Sequence, residues 1–348
     1  MELKLELLMN DLLWLAPLIA ILALVFTWLL RRYALARSLI DIPNARSSHS
    51  VPTPRGGGVS IVVSFLIAVP LLWVNDEITR SVMLALLGSG ATIAILGFLD
   101  DHGHIAARWR LLGHFSAAAW ALFWLNGLPP ISLPGLTIDL GWLGHVLAAL
   151  YLVWMLNLYN FMDGIDGLAS AEAICVCMGA CLIYWLVGYQ DLISLPLLLS
   201  MAVAGFLFWN FPPAKIFMGD AGSGFLGILV GLLSLQAAWR SADLFWVWLI
   251  LLGVFIVDAT FTLIRRLARG DKVYEAHRSH AYQFASRQFG KHLPVTLSVV
   301  AINVFWLLPI AMCVALYGLN GLLGLVIAYL PLVLLAIKYK AGELEKVV

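Results

Sequence analysis

The stretch GWLGHVLAALYLVWMLNLYNFMDGIDGLASAEAICVCMGACLIYWLVG, residues 141–188, decides how the chain folds. Two apolar runs, 141–156 and 170–188, flank a turn holding Asn157, Asn160, Asp163 and Asp166, with a glycine after each acid. A bilayer crossing takes ~20 apolar residues, and a turn this polar belongs at the membrane edge rather than in hydrocarbon. Working outward, similar runs occur at 12–30, 57–74, 81–99, 111–128, 192–209, 222–239, 244–264, 294–316 and 319–337. The 348 residues are 62% hydrophobic and 12% charged, against roughly 25% charged in an ordinary soluble domain. A soluble globular protein is excluded. The expectation is an all-α polytopic membrane protein of about eleven transmembrane helices, one domain over 1–348.

Charge gives the orientation. Of 21 Lys and Arg, 18 fall in every second loop and the C-terminal tail, and three (Lys4, Arg80 and Arg240) fall on the other side. By the positive-inside rule the N-terminus faces the periplasm and the C-terminus the cytoplasm. The start, with Glu2, Lys4, Glu6 and Asp11, is net negative, unlike a secretory signal, so the first run reads as a retained span. A net charge of +1 gives no electrostatic case for nucleic acid. Cys175, Cys177, Cys181 and Cys313 form no CxxC pair and read as small packing residues.

The unusual polar clusters share the basic side, in loops 31–58, 100–110, 157–170, 210–223 and 265–293. They hold Asp41 to Gly58 with His49 and Arg55, the pair Asp100-Asp101, the turn quoted above, Asn210 to Asp220 with Lys215 and Phe217, and His277-Arg278-Ser279-His280. Five aspartates gathered at one site would repel one another unless a cation compensated. A hard divalent ion with oxygen ligands, Mg²⁺ or Mn²⁺, is the simplest answer and leaves coordination positions for phosphate oxygens. Each cluster also has a plainer reading. Asp100-Asp101 can cap a span, Asp163 and Asp166 can be a solvated helix face, and Asp220 can be a helix N-cap. Gly56-Gly57-Gly58 can be simple loop flexibility or a backbone cradle for phosphate. His277 and His280 suit a phosphate clamp or half a zinc site. Two acids lie deeper: Glu172, and Asp258 with Arg265 as a ready partner.

Taken together, PNARSSHSVPTPRGGG, GFLDD, NLYNFMDGIDGLA, PAKIFMGDAGS and HRSHAYQ resemble the polyprenyl-phosphate N-acetylhexosamine-1-phosphate transferases, the MraY/WecA family or glycosyltransferase family 4, with WbpL-type O-antigen initiating enzymes the nearest look. The resemblance runs from about residue 41 to 283, one motif per loop on the basic side. It implies transfer of a sugar 1-phosphate from a UDP-N-acetylamino sugar (UDP-GlcNAc, UDP-GalNAc or UDP-FucNAc type) to undecaprenyl phosphate, with Mg²⁺ or Mn²⁺, at the cytoplasmic face of the bacterial inner membrane. A homodimer is compatible with it. By resemblance Asp220 is the leading metal ligand, supported by Asp101 and Asp163, and Asp100 orients the lipid phosphate or accepts its proton. Asn157, Asn160, Asp163, Asp166 and Asn210 stand near the nucleotide, Phe217 suits stacking on uracil, and Lys215, His277, Arg278 and His280 neutralise phosphates. The MraY branch carries loop lysines that are absent here, for which Arg46, His49, Arg55 or His104 are substitutes. A proton-coupled transporter using Glu172 and Asp258, or a non-catalytic lipid-binding subunit, are the other readings. A transporter would place its key polar groups near midplane.

Overall fold

The computed structural model describes residues 2–43, 48–49, 51–103, 105–133, 135–272 and 277–344. It is a bundle of helices: α1 Glu2–Ala36, α2 Val59–Val74, α3 Arg80–His102, α4 Ala107–Leu125, α5 Gly141–Met162, α6 Leu168–Val187, α7 Ser194–Asn210, α8 Asp220–Arg240, α9 Ala242–Leu251, α10 Gly253–Ala268, α11 Ala281–Phe289, α12 Leu293–Ile302, α13 Leu308–Tyr317 and α14 Gly321–Lys338. Two short antiparallel hairpins, β1 Ile40–Asp41 with β2 Thr53–Pro54 and β3 Ile131–Leu133 with β4 Leu136–Ile138, lie in loops.

Among the described residues, eight helical segments are long and apolar enough to cross a membrane, or nine if the bent pair α9–α10 is one span. Helices α2 and α4 occupy the remaining two predicted runs but stand outside that set. Helix α2, with 16 residues, is short for a crossing, about 24 Å at 1.5 Å per residue. The chain is thus an all-α polytopic membrane protein.

Helix α8 is the axis: 94% of its most apolar stretch is buried, against 28% for the segments at either end of the chain. Small residues let its neighbours approach closely, the usual device where lipid removes the hydrophobic drive between helices. A Cβ on Gly227 would lie 2.5 Å from the Met155 carbonyl oxygen of α5, and one on Gly58 would lie 2.6 Å from Gly222 Cα of α8. The start of α8 is therefore pinned by α2, α3 and α5.

Helices α9 and α10 meet at 72°. A five-residue π turn, Asn303–Leu307, separates α12 from α13. Asn303 Nδ2 donates to Glu172 Oε2 at 2.5 Å, both side chains being fully enclosed. Glu172 thereby ties α6 to the π turn. The four cysteines are all free thiols.

Candidate active site

Three of the predicted loops converge around the N-terminus of α8. The segment before it pairs with the glycine-rich loop: Phe217 N–H donates to the Pro54 carbonyl (2.8 Å), Gly57 N–H to Phe217 (2.9 Å) and Gly58 N–H to Met218 (2.8 Å). These glycine amides are therefore spent on the protein's own backbone, and neither the phosphate cradle nor simple loop flexibility describes them. Gly219 sits at φ +80°, where a Cβ would also lie 2.7 Å from Asp101 Oδ2. Only glycine lets the chain enter α8 there.

The adjacent acids at the end of α3 turn to opposite sides. Asp101 is ion-paired with Arg55 and accepts the Asp220 N–H at 3.1 Å. Asp100 accepts Arg110 Nη1 at 2.5 Å and the Ile105 N–H at 2.8 Å. Burial alone would lower the Arg55 pKa; Asp101, then Asp220 and Asp41, outweigh it and hold the guanidinium firmly charged. Asn160 Nδ2 donates to Asp220 Oδ1 and to Ser223 Oγ, each at 3.1 Å.

Two cavities meet at this point. One, about 440 Å³, is polar and lined by His49, Arg55, Asn160, Asp163, Asp166, Asn210, Phe217 and Asp220, with Asp41, Gln283 and His292 completing it. The other, about 200 Å³, opens between α3, α4, α5 and α8, with Ile93, Leu96, Leu111 and Leu156 on its apolar side and Asp100, Arg110, Asn157, Asn160 and Asp220 on its polar side. Asn160 and Asp220 belong to both. Burial, then the charges of Asp220, Asp101 and Asp166, hold the Asp163 carboxyl well above the usual carboxylate range. That crowding of hard oxygen donors is the setting in which a divalent cation is stabilising. Among the described residues no three His, Cys, Asp or Glu side chains already enclose a metal position. Mg²⁺, held by one or two carboxylates and substrate phosphates, needs no such cage.

The other predicted residues divide. His49 packs edge-on against Phe217 at 4.8 Å, and its buried Nε2 has no hydrogen-bond partner. Asn210 is buried and bonded at both ends to backbone, accepting Gly167 N–H and donating to the Ile216 carbonyl. Asn157 donates to Val153 one turn back and faces the smaller cavity. Asp166 accepts the Ala214 N–H at 3.0 Å and pairs with His292 Nδ1 at 3.0 Å. Lys215 is exposed and lies over Trp209 and Phe208, lining neither cavity. Arg46 and His104 fall outside the described residues.

His277 and His280 stack at 4.9 Å and pack on Phe161, which lines the smaller cavity, while Arg278 lies between them in sequence. Burial, then His280 and Arg266, push His277 down to about 3, so it is a neutral ring at pH 7 rather than the cation expected for a phosphate clamp. Asp258 does not pair with Arg265, which bonds Glu343 and the Ala341 carbonyl; it accepts from His280 Nδ1 instead. Two residues of the site, Arg110 and His292, belong to none of the motifs: Arg110 finds Asp100 within its own loop, and His292 acquires its place only when distant loops meet.

Fold and site together define a polytopic membrane protein whose carboxylates and arginines face two joined chambers, one polar and one largely apolar. A family model described as Glycosyl transferase family 4 matches residues 83–238. Over 264 residues, 74% of this chain and 73% of the relative, the sequence is 34% identical to the "Probable undecaprenyl-phosphate N-acetylglucosaminyl 1-phosphate transferase" of Bacillus subtilis. It is 31% identical over 278 residues (70% and 69%) to the "Decaprenyl-phosphate N-acetylglucosaminephosphotransferase" of Mycobacterium leprae. It is 32% identical over 198 residues (53% and 61%) to the "Phospho-N-acetylmuramoyl-pentapeptide-transferase" of Moorella thermoacetica. The chain belongs to glycosyl transferase family 4, the MraY/WecA family, and is an enzyme.

Proposed function

We propose that this enzyme transfers a sugar 1-phosphate from a UDP-N-acetylamino sugar to undecaprenyl phosphate, releasing UMP and forming undecaprenyl-pyrophosphoryl sugar. The carrying observation is the junction of the two chambers at Asp220 and Asn160. A water-soluble nucleotide sugar fits the polar chamber, and a lipid phosphate fits the one with an apolar wall. The names of the relatives, transferases of an N-acetylglucosamine phosphate to a polyprenyl phosphate, support a reaction that joins two such substrates.

An oxygen of the lipid phosphate attacks the phosphorus that carries the sugar, and the bond to UMP breaks. The attacking phosphate has a second pKa near 6, so it is largely ionised at pH 7. Asp100 then orients the nucleophile through Arg110 rather than serving as an essential base. Two anions must approach, so Arg55 beside Asp101 and Asp220 lowers the repulsion. Phe217 supplies an aromatic face and Asp163 a carboxylate within the nucleotide chamber. Asp220 and Asp163, with Asp101 behind them, would hold Mg²⁺ or Mn²⁺, which when bound neutralises diphosphate charge. In the membrane we place eleven crossings, the N-terminus outside and this site at the cytoplasmic face of a bacterial inner membrane. The single domain of residues 1–348 contains it. The WbpL-like motifs favour UDP-FucNAc or UDP-GlcNAc and a role in starting O-antigen or other surface polysaccharide.

The test is turnover by purified protein with undecaprenyl phosphate, Mg²⁺ and UDP-GlcNAc, UDP-GalNAc or UDP-FucNAc in turn. Lipid-linked product with one of them is expected, and none with all three would overturn the reading. Asp220→Asn should lower kcat by about 10²–10³-fold or more with the fold retained. UDP-sugar without lipid acceptor should release no stoichiometric UMP, since a covalent aspartyl-phosphate is not formed.

A further inference from the structure

Asp258 lies in α10, on the second arm of the bent pair, and is 6% exposed. Buried carboxylates in a membrane protein demand compensation. This one has four donors. The Ala281 N–H reaches Oδ1 at 2.9 Å and the Tyr282 N–H reaches Oδ2 at 3.0 Å, so Asp258 satisfies the first-turn amides of α11 from a neighbouring helix. Thr262 Oγ1 donates at 3.2 Å. The fourth donor is His280 Nδ1, also at 3.2 Å.

The last bond has chemical content beyond packing. An ionised carboxylate only accepts hydrogen bonds, so the proton of the pair sits on His280 Nδ1. The ring's second nitrogen, Nε2, is then the one left to meet substrate. The segment is held against the nucleotide chamber: Tyr282 Oη donates to the Phe161 carbonyl at 2.9 Å, a Cβ on Gly164 would collide with that hydroxyl at 2.1 Å, and Gln283 lines the polar cavity.

Resting on the transferase reading above, we propose that Asp258 is a positioning residue that holds His280 for the diphosphate of the nucleotide sugar. With Asp258 on Nδ1 and a phosphate oxygen on Nε2, the ring stands between two anions. The imidazolium satisfies both at once, giving a charge-assisted bond roughly twice as strong as a neutral one. Without the carboxylate charge a neutral ring can still donate from Nε2, but only as a neutral donor.

Asp258→Asn keeps an acceptor for the α11 amides and removes the charge, so thermal stability should change little. In the variant KM for the UDP-sugar should be 10- to 100-fold higher, with kcat much less affected. Asp258→Glu should restore part of the wild-type KM. If Asp258→Asn does not fold, His280→Asn carries the same test, because it keeps an amide donor for Asp258 and lacks the second nitrogen. A wild-type KM in either folded variant, or a loss that follows only the fall in Tm, would overturn the inference. Wild-type turnover is measured in the same series, so failure of the transferase reading shows separately as absence of any product.

Discussion

At the scale of single residues, His292 shows how little of a site spacing can reveal. It sits 126 positions from Asp166, with which its Nδ1 pairs at 3.0 Å, while Nε2 donates to the Ser48 carbonyl at 2.9 Å. One ring therefore joins three loops at the border of the polar chamber. Burial alone would lower its pKa; the hydrogen bond to Asp166 and that residue's charge outweigh burial and raise it above the ordinary histidine value. With the folded pKa above the unfolded value near 6.5, the pairing stabilises most fully below that pH and is lost as pH rises through the folded pKa. His292→Gln should therefore lower Tm most at pH 5.5–6.5, with the gap from wild type narrowing toward pH 9. A gap of constant size would show that the ring acts as packing alone. Asp166 was legible as a site residue because a carboxylate just past a span end is unusual. That both its oxygens serve the protein was not, because Ala214 and His292 reach it only through tertiary contact. Lys215 is the converse case: its charge suggested phosphate, and the fold lays it over Trp209 on an outer face.

Among elements, the decisive contact is the seat of α8. A Cβ on Gly97 of α3 would lie 2.6 Å from the Asp220 carbonyl group and the Ala221 amide nitrogen, all of them backbone atoms that cannot rotate away. Gly97→Ala should push the α8 terminus off α3 and shift Asp220, costing ~1–3 kcal/mol of stability by overpacking. Activity should fall further than stability does. Gly103→Ala is the matched control: its nearest neighbour is 3.9 Å away and its backbone is ordinary. Equal thermal unfolding and equal turnover in both variants would show that this close approach does not position the site. The runs that become α3 and α8 were readable from hydropathy. Which glycines carry backbone contact was not, since many of the chain's 29 glycines look alike in one dimension.

For the molecule as a whole, the division of 18 basic residues to three sets an orientation that can be tested directly. In a background with the native cysteines replaced, a cysteine at Asp271 should resist membrane-impermeant reagent in intact cells, and one at Asp139 should react. The reverse pattern would invert the topology and put the site on the wrong side for a cytoplasmic nucleotide sugar. The bend of 72° between α9 and α10 belongs to this scale too. Hydropathy reads 244–264 as one span, because a break of backbone direction leaves the apolar composition unchanged.

By itself the sequence determined the solvent, the helical class, the sidedness of charge and the family motifs, because these depend on composition and local spacing. Lipid accepts only long apolar helices, and polar clusters between them must gather at an edge. Only the tertiary structure decided how the motif residues are used: Asp100 paired with Arg110 while Asp101 holds Arg55 and the Asp220 amide, Asn210 spent on backbone, Asp258 turned to His280 instead of Arg265. The reason is that a hydrogen bond depends on the approach of two groups in space, and residues far apart in the chain are brought together by packing that no local pattern encodes.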